Sequence, residues 1–340
     1  MKKIISTVGT SLFTNESEFK EDVKPDYENL LEKSNLEWNN YEKKIDKIKE
    51  NIKNKLDEDS SAEIKSIVKI IEKLGKDEEY ELYFLCSDTC ASRMAAEILT
   101  DYFNKTTNVN TKANFHPGDD VISKLQIENV EDFKEGMTNL IDRIYQIAGG
   151  YFENIVLNIT GGYKATIPFM TLYAQVNKIP LYYIFESSSE LIEIPYFPVD
   201  LDLDIVINEW IAFDLIGKEV KTDNPRPIPI EEFKNSLCNE DSYEDLMMKG
   251  LIYEDAGNIR LTPTGRILYG GFKRAQEDEK FNEGNIVGKL IELKIYEYWN
   301  NKVRDMSGIV ENGKKFGDNG YEADIFVKYN DNEKVICIEC

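Results

Sequence analysis

The sequence holds a single histidine, His116, among 340 residues. A Ser-His-Asp triad or a Cys-His dyad needs an imidazole base, and His116 would have to carry any such mechanism alone, which disfavours both. Cysteine is scarce as well. Five residues, Cys86, Cys90, Cys238, Cys337 and Cys340, are odd in number and scattered, unlike the framework of a secreted scaffold, and are expected to be reduced thiols. Cys337 and Cys340 form a CxxC pair, but a four-ligand zinc site needs a second pair. No apolar run approaches the roughly 18 to 20 residues that span a bilayer. Met1 to Val8 reads better as a buried first strand than as a signal peptide, so a cytoplasmic protein with no membrane association is expected. Positive charge is also in deficit: 41 Lys and Arg face 63 Asp and Glu, a formal charge of -22. That balance argues against a protein coated by nucleic acid, while leaving room for a small positive pocket.

The length suits two or three compact units. Strand and helix signals alternate through the first two hundred residues. KKIISTVGTSL is a buried strand running into a small-residue turn, and residues 16 to 75 are polar and helix-rich, with room for two or three helices. YELYFLCS is a second strand, followed by an amphipathic helix capped by Asp88 or Thr89. A third strand is expected near Asn110 to Phe115, then the turn HPGDD and a helix from about Val130 to Ala148. ENIVLNIT runs into GGYKATIPFMTLYAQVNK, a loop and an apolar helix, and PLYYIFE completes the series. Continuous apolar strands separated by helices imply a parallel sheet covered on both faces, with ligands at the carboxyl ends of its strands.

Past ELIEIPYFPVDLD the composition changes. EDLMMKGLIYEDAGNIRLTPTGRILYGG has the pattern of a winged helix, but its helical part carries Glu231, Glu232, Glu240, Asp241, Glu244 and Asp245, which favours a structural or dimerising role over DNA binding. The last part is expected to be a helix, EGNIVGKLIELKIYEYWNN, a glycine-containing loop, and a hairpin formed by YEADIFVKYN and KVICIEC. The boundaries that follow are 1–204, 205–278 and 279–340. Because the sequence stops inside a strand, a deletion or further residues beyond Cys340 are expected.

Three loops at the strand ends carry chemistry. Gly161-Gly162-Tyr163-Lys164 follows an apolar strand and opens a helix, where backbone N–H groups and the helix dipole favour an anion; Lys164 adds a charge and Thr166 a hydroxyl. It is neither a Walker motif nor GxGxxG. Thr7 to Ser11 and Ser87 to Thr89 each present small hydroxyl donors, although plain N-capping is the commoner role for such residues. Together, Thr10, Ser11, Ser87, Thr89, Gly162 and Lys164 would line a pocket for phosphate and ribose.

ISTVGTSL, LCSDTCASRMAAEIL and NITGGYKATIPFMTLYA together resemble the CRISPR-associated Rossmann fold (CARF) domain of type III CRISPR ancillary proteins, over about residues 1 to 200. The resemblance implies a homodimer whose two sensor domains share one pocket for a cyclic oligoadenylate, with cyclic tetra-adenylate favoured. It implies binding positions at Gly9, Thr10, Ser11, Ser87, Thr89, Gly162, Tyr163 and Lys164. The helical insertion at 16–75 departs from the shortest members.

A second constellation lies near the end: Glu292 on a helix, Asp324 on a strand and Glu339 on the next. Three carboxylates can hold Mg²⁺ or Mn²⁺ for phosphodiester hydrolysis, and Asp324 and Glu339 stand among apolar residues, where an unpaired carboxylate is costly. Chance triplets are easy among 63 acidic residues. The order is similar to the PD-(D/E)xK nuclease fold, a restriction-endonuclease-like α/β domain. That resemblance makes Asp324 and Glu339 metal ligands with Glu292 in support. It also calls for a lysine two residues after Glu339, one position beyond the last residue here, so impaired catalysis is expected of the chain as it stands. The leading expectation is a ligand-activated, metal-dependent nuclease acting on single-stranded RNA, DNA or both. A ligand-sensing transcriptional regulator and a ring nuclease that cleaves its own activator stay open.

Overall fold

The computed structural model describes residues 1–14, 27–52, 55–106, 110–126, 129–149, 151–185, 188, 190–197, 203–217, 227–237, 242–277, 299, 309–316, 321–329 and 334–338. They fall into two compact units, Met1–Gly271 and Phe272–Cys340.

The first unit is built on a seven-stranded sheet. Strands β1 (Lys2–Val8), β2 (Tyr80–Ser87), β3 (Thr111–Asn114), β5 (Ile155–Asn158), β6 (Leu181–Ile184) and β7 (Leu191–Ile194) lie in the order β3-β2-β1-β5-β6-β7, and the two-residue β4 (Val121–Ile122) pairs with β2 beyond β3. Every pairing is parallel except β6 with β7. The all-parallel sheet expected from the sequence is therefore mixed. The strand LIEI that makes it so is only partly buried, and a partly exposed edge strand lacks the apolar continuity that marks the interior ones.

β1 occupies the centre, and its last five residues are buried. Alternate side chains feed two cores. Ile4 and Val8 pack with helices α2 (Trp38–Ile52), α3 (Ala62–Leu74) and α4 (Cys90–Lys105) on one face. Ile5 packs with α6 (Val130–Ala148) and α7 (Ile167–Val176) on the other. The shorter α1 (Ser11–Thr14) and α5 (Pro117–Asp120) belong to the same part. In α6 the buried Met137, Leu140, Ile141, Ile144, Ile147 and Ala148 recur every three or four residues, the spacing of a single apolar stripe. Burying each such aliphatic side chain contributes roughly 1.5–3 kcal/mol before entropy is counted.

The same unit holds a second sheet of three short strands, β8 (Ile228–Pro229), β9 (Ile252–Asp255) and β10 (Asn258–Leu261), in the order β8-β10-β9, with helices Ile230–Ser236 and Ser242–Met248 and the part of helix Pro263–Glu277 up to Gly271. Asp142 of α6 pairs with Arg266 at 2.7 Å. Through Gly271 these elements belong to the same compact unit as the large sheet.

The second unit holds an antiparallel sheet of β11 (Ile309–Phe316), β12 (Tyr321–Tyr329) and β13 (Lys334–Ile338) in that order. Buried Ile325 and Val327 pack with Trp299, Val310 and Ile336. The stretch expected to be a glycine-containing loop is partly a strand: VENGKK lies within β11, where Lys314 pairs with Ala323. Its polar composition concealed it. No helix among the described residues is long and apolar enough to cross a membrane.

Candidate functional site

The chain visits β1, β2 and β3 on one side of the sheet and then returns to place β5 and β6 on the other. The order of strands therefore reverses between β1 and β5. In open α/β sheets the crevice outside the carboxyl ends of the strands at such a point is where ligands bind. Two of the sequence-predicted loops meet there. The Thr7 hydroxyl donates to the Gly161 carbonyl at 2.6 Å, and a Cβ added to Gly9 would lie 2.8 Å from the Gly162 nitrogen. Gly9 must be glycine for the loops to come this close, and Gly162 has φ +88°, a left-handed conformation that costs other residues.

The donors at the first loop are already engaged. The Gly9 N–H donates to Glu63 Oε1 at 3.0 Å, and the Ser11 hydroxyl donates to Glu63 Oε2. Ser11 Oγ in turn accepts the Ala62 N–H at 3.2 Å. Glu63 lies in the first turn of α3, where the helix dipole favours a carboxylate, and its side chain is buried. Gly161 packs against the same group: a Cβ there would come 2.1 Å from Glu63 Oε1.

Ser87 and Thr89 stand at the end of the neighbouring strand, and their hydroxyls face inward. Thr89 caps α4 by accepting the Ser92 N–H at 3.2 Å, and the Ser87 hydroxyl donates to Ser92 Oγ at 2.8 Å. The Asp88 carboxylate accepts the Lys124 N–H at 3.2 Å. Thr166 is buried, with its hydroxyl on the Tyr163 carbonyl at 2.7 Å. Tyr163 packs beside the second core. Thr10 is half-buried and Lys164 exposed, so of the residues expected to line the pocket, Lys164 is the one that presents a positive charge to solvent.

Below the loops sits a hub the sequence reading did not single out. Asn158, fully buried at the end of β5, donates to Ser6 Oγ at 2.9 Å and to Ser66 Oγ at 2.8 Å. Its carbonyl oxygen accepts the Thr160 hydroxyl at 2.7 Å, and Thr160 Oγ1 accepts the Ile184 N–H at 3.1 Å. One amide thereby ties β1, α3, β5 and β6 together. An Asn inside the apolar run ENIVLNIT was the available signal, since a buried amide requires partners. Glu63 offered a weaker signal, because an acid in a first turn is ordinary.

A separate cleft of about 310 Å³ is lined in part by Arg143, Arg260 and Arg266. Each arginine is ion-paired, with Asp120, Asp255 and Asp142 respectively.

Of the expected metal ligands, Glu339 lies outside the described residues, as does the supporting Glu292, and Asp324 belongs to β12. Among the described residues no group of three or more His, Cys, Asp or Glu is placed to hold a metal ion.

Residues 58–197 match the family described as CRISPR-associated protein (Cas_APE2256). No curated protein matches the chain. Among solved structures, the chain is similar to Can2 from Sulfobacillus thermosulfidooxidans in complex with cyclic tetra-adenylate (cA4), at 12% identity and a TM-score of 0.25, over 99% of this chain and 79% of that one. An alignment that loose bears on neither fold nor ligand.

Proposed function

We propose that the first unit is a CRISPR-associated sensor that binds a cyclic oligoadenylate across the loops at the ends of β1 and β5. The observation that carries this reading is the meeting of Thr7 to Ser11 with Gly161 to Lys164 at the point where strand order reverses. The family match over 58–197 supports the biological class. Because the protein is strongly acidic, one subunit supplies little positive charge for a cyclic polyanion. Two copies of Lys164, one from each subunit of a homodimer, would supply twice as much to a shared pocket.

The test is calorimetric titration with cyclic tetra-adenylate and cyclic hexa-adenylate, on wild type and Lys164→Ala, with mass measured before and after addition. Saturable binding at one ligand per two chains, weakened about tenfold or more in Lys164→Ala, is expected. Absence of binding to both rings overturns the reading. Incubating the complex and analysing the nucleotide also tests ring opening, which would add a ring nuclease activity to the sensor.

A second reading concerns the output. It is a metal-dependent nuclease using Asp324 and Glu339 with Glu292, of which Asp324 lies on β12. With the expected lysine missing from the chain, the expected result is weak nucleic-acid cleavage with cyclic tetra-adenylate and Mn²⁺ that is lost in Asp324→Asn. Equal cleavage by wild type and Asp324→Asn excludes this assignment.

A further inference from the structure

The segment inserted between β1 and β2 touches all three loops. Glu63 holds Gly9 and Ser11 and abuts Gly161. Ser66 of the same helix accepts a hydrogen bond from Asn158. Further back, Ser34 forms a bridge with Thr89, the Cys90 N–H donates to the Lys33 carbonyl at 2.8 Å, and the Asn35 N–H donates to the Asp88 carbonyl at 3.4 Å. Residues 33–35 and 62–66 therefore contribute to the framework of the site, and Glu63 is the point where that framework reaches two loops at once.

From this geometry we propose that Glu63 is the positioning residue of the site: its carboxylate fixes the first loop against the second and occupies the Gly9 N–H and Ser11 hydroxyl. Those two donors are then part of the frame rather than direct contacts to an anion. The inference deepens the cyclic oligoadenylate reading and rests on it for the identity of the ligand.

Two roles can be imagined for an acid in this place, and they differ in sign. A carboxylate that merely fills an anion site competes with ligand, so its removal tightens binding. A brace keeps the loops in the binding geometry, so its removal weakens binding. Burial of Glu63, hydrogen bonds on both of its oxygens, and the tight fit of Gly161 against it favour the brace. A displaced carboxylate would leave two donors to be satisfied again and a space behind Gly161.

The experiment compares wild type, Glu63→Ala and Glu63→Gln by amide hydrogen exchange without ligand and by titration with cyclic tetra-adenylate, at a temperature well below each melting transition. Glu63→Ala should speed exchange in both 8–12 and 160–165 by about tenfold or more, and weaken affinity by at least a similar factor. Glu63→Gln can still accept from Gly9 and, through its NH₂, donate to Ser11 Oγ, so it should restore most of the protection and affinity. Equal or tighter binding by Glu63→Ala overturns the proposal in favour of a competing anion. Should Glu63→Ala not fold, Ser11→Ala removes one of the two tethers and is expected to speed exchange in 8–12. If wild type binds no cyclic oligoadenylate, the ligand assignment fails alone. The brace is then decided by exchange, and unchanged exchange in both loops of Glu63→Ala or Ser11→Ala refutes it.

Discussion

Gly161 and Glu63 fit so closely that a single methyl group on the glycine would come 2.1 Å from the carboxylate and 2.8 Å from the Thr7 carbonyl oxygen. Withdrawing the carboxylate could relieve the first contact, but the second involves backbone in the central strand. Gly161→Ala is therefore expected to destabilise the first unit by about 1–3 kcal/mol, the usual range for overpacking. Thermal denaturation followed by circular dichroism measures this, and an unchanged melting temperature would show that the loops separate more easily than their packing indicates.

Asn158→Ala strands several polar groups. Ser6, Ser66 and Thr160 each lose a partner inside the fold, and leaving buried groups unsatisfied costs about 1–3 kcal/mol each, partly offset where hydroxyls rotate to other acceptors. A loss of at least about 2 kcal/mol is expected, with faster exchange at Ile184, whose N–H is held by Thr160. Urea denaturation and site-resolved exchange provide the two readouts, and a fully protected Ile184 amide in the variant would contradict the hub.

Capping and ligand contact can be separated at Thr89. Thr89→Ala removes the cap of α4 and should cost about 1 kcal/mol, whereas Thr89→Ser retains the accepting oxygen and should cost little. If cyclic tetra-adenylate affinity follows stability across the two variants, Thr89 acts through the helix. Lost affinity with unchanged stability would instead assign it a direct contact.

Asp142 gives a pH prediction. Burial raises its carboxyl from 3.8 to about 6, outweighing the opposing effect of Arg266. The folded protein then holds a proton that the unfolded chain releases between about pH 4 and 6, so this group's contribution to stability falls as pH rises through that window and is level above it. The slope is at most about 1.4 kcal/mol per pH unit, and less because the side chain remains 20% exposed. Relative to Asp142→Asn, wild type should lose melting temperature from pH 4 to 6 and then run parallel. A difference that grows in the opposite direction excludes the assignment.

The large sheet was legible because its interior strands are apolar and its helices periodic. YELYFLCS coincides with β2, and the helix expected at Val130 to Ala148 has those bounds. What escaped was polar or brief: β7 is half exposed, β4 has two residues, and the middle of β11 is polar and charged around its one glycine. At the site, the meeting of two loops followed from strand order. The partners of their hydroxyls did not, because Glu63 reaches Ser11 across 52 positions and no local pattern encodes that contact.

β1 is made before every other strand of its sheet, yet it finishes at the middle, between β2 and β5. One of its edges has no native partner until residue 80 is made, and the other waits for residue 155. Pairing across such separations is slow, and an unpaired apolar strand invites association with other chains. Lys2 and Lys3 at its start place charge where gatekeeper residues are usually found. Synthesis of this protein thus includes a long interval in which its central strand is the part most exposed to aggregation, and slowing translation before residue 155 should increase its dependence on chaperones.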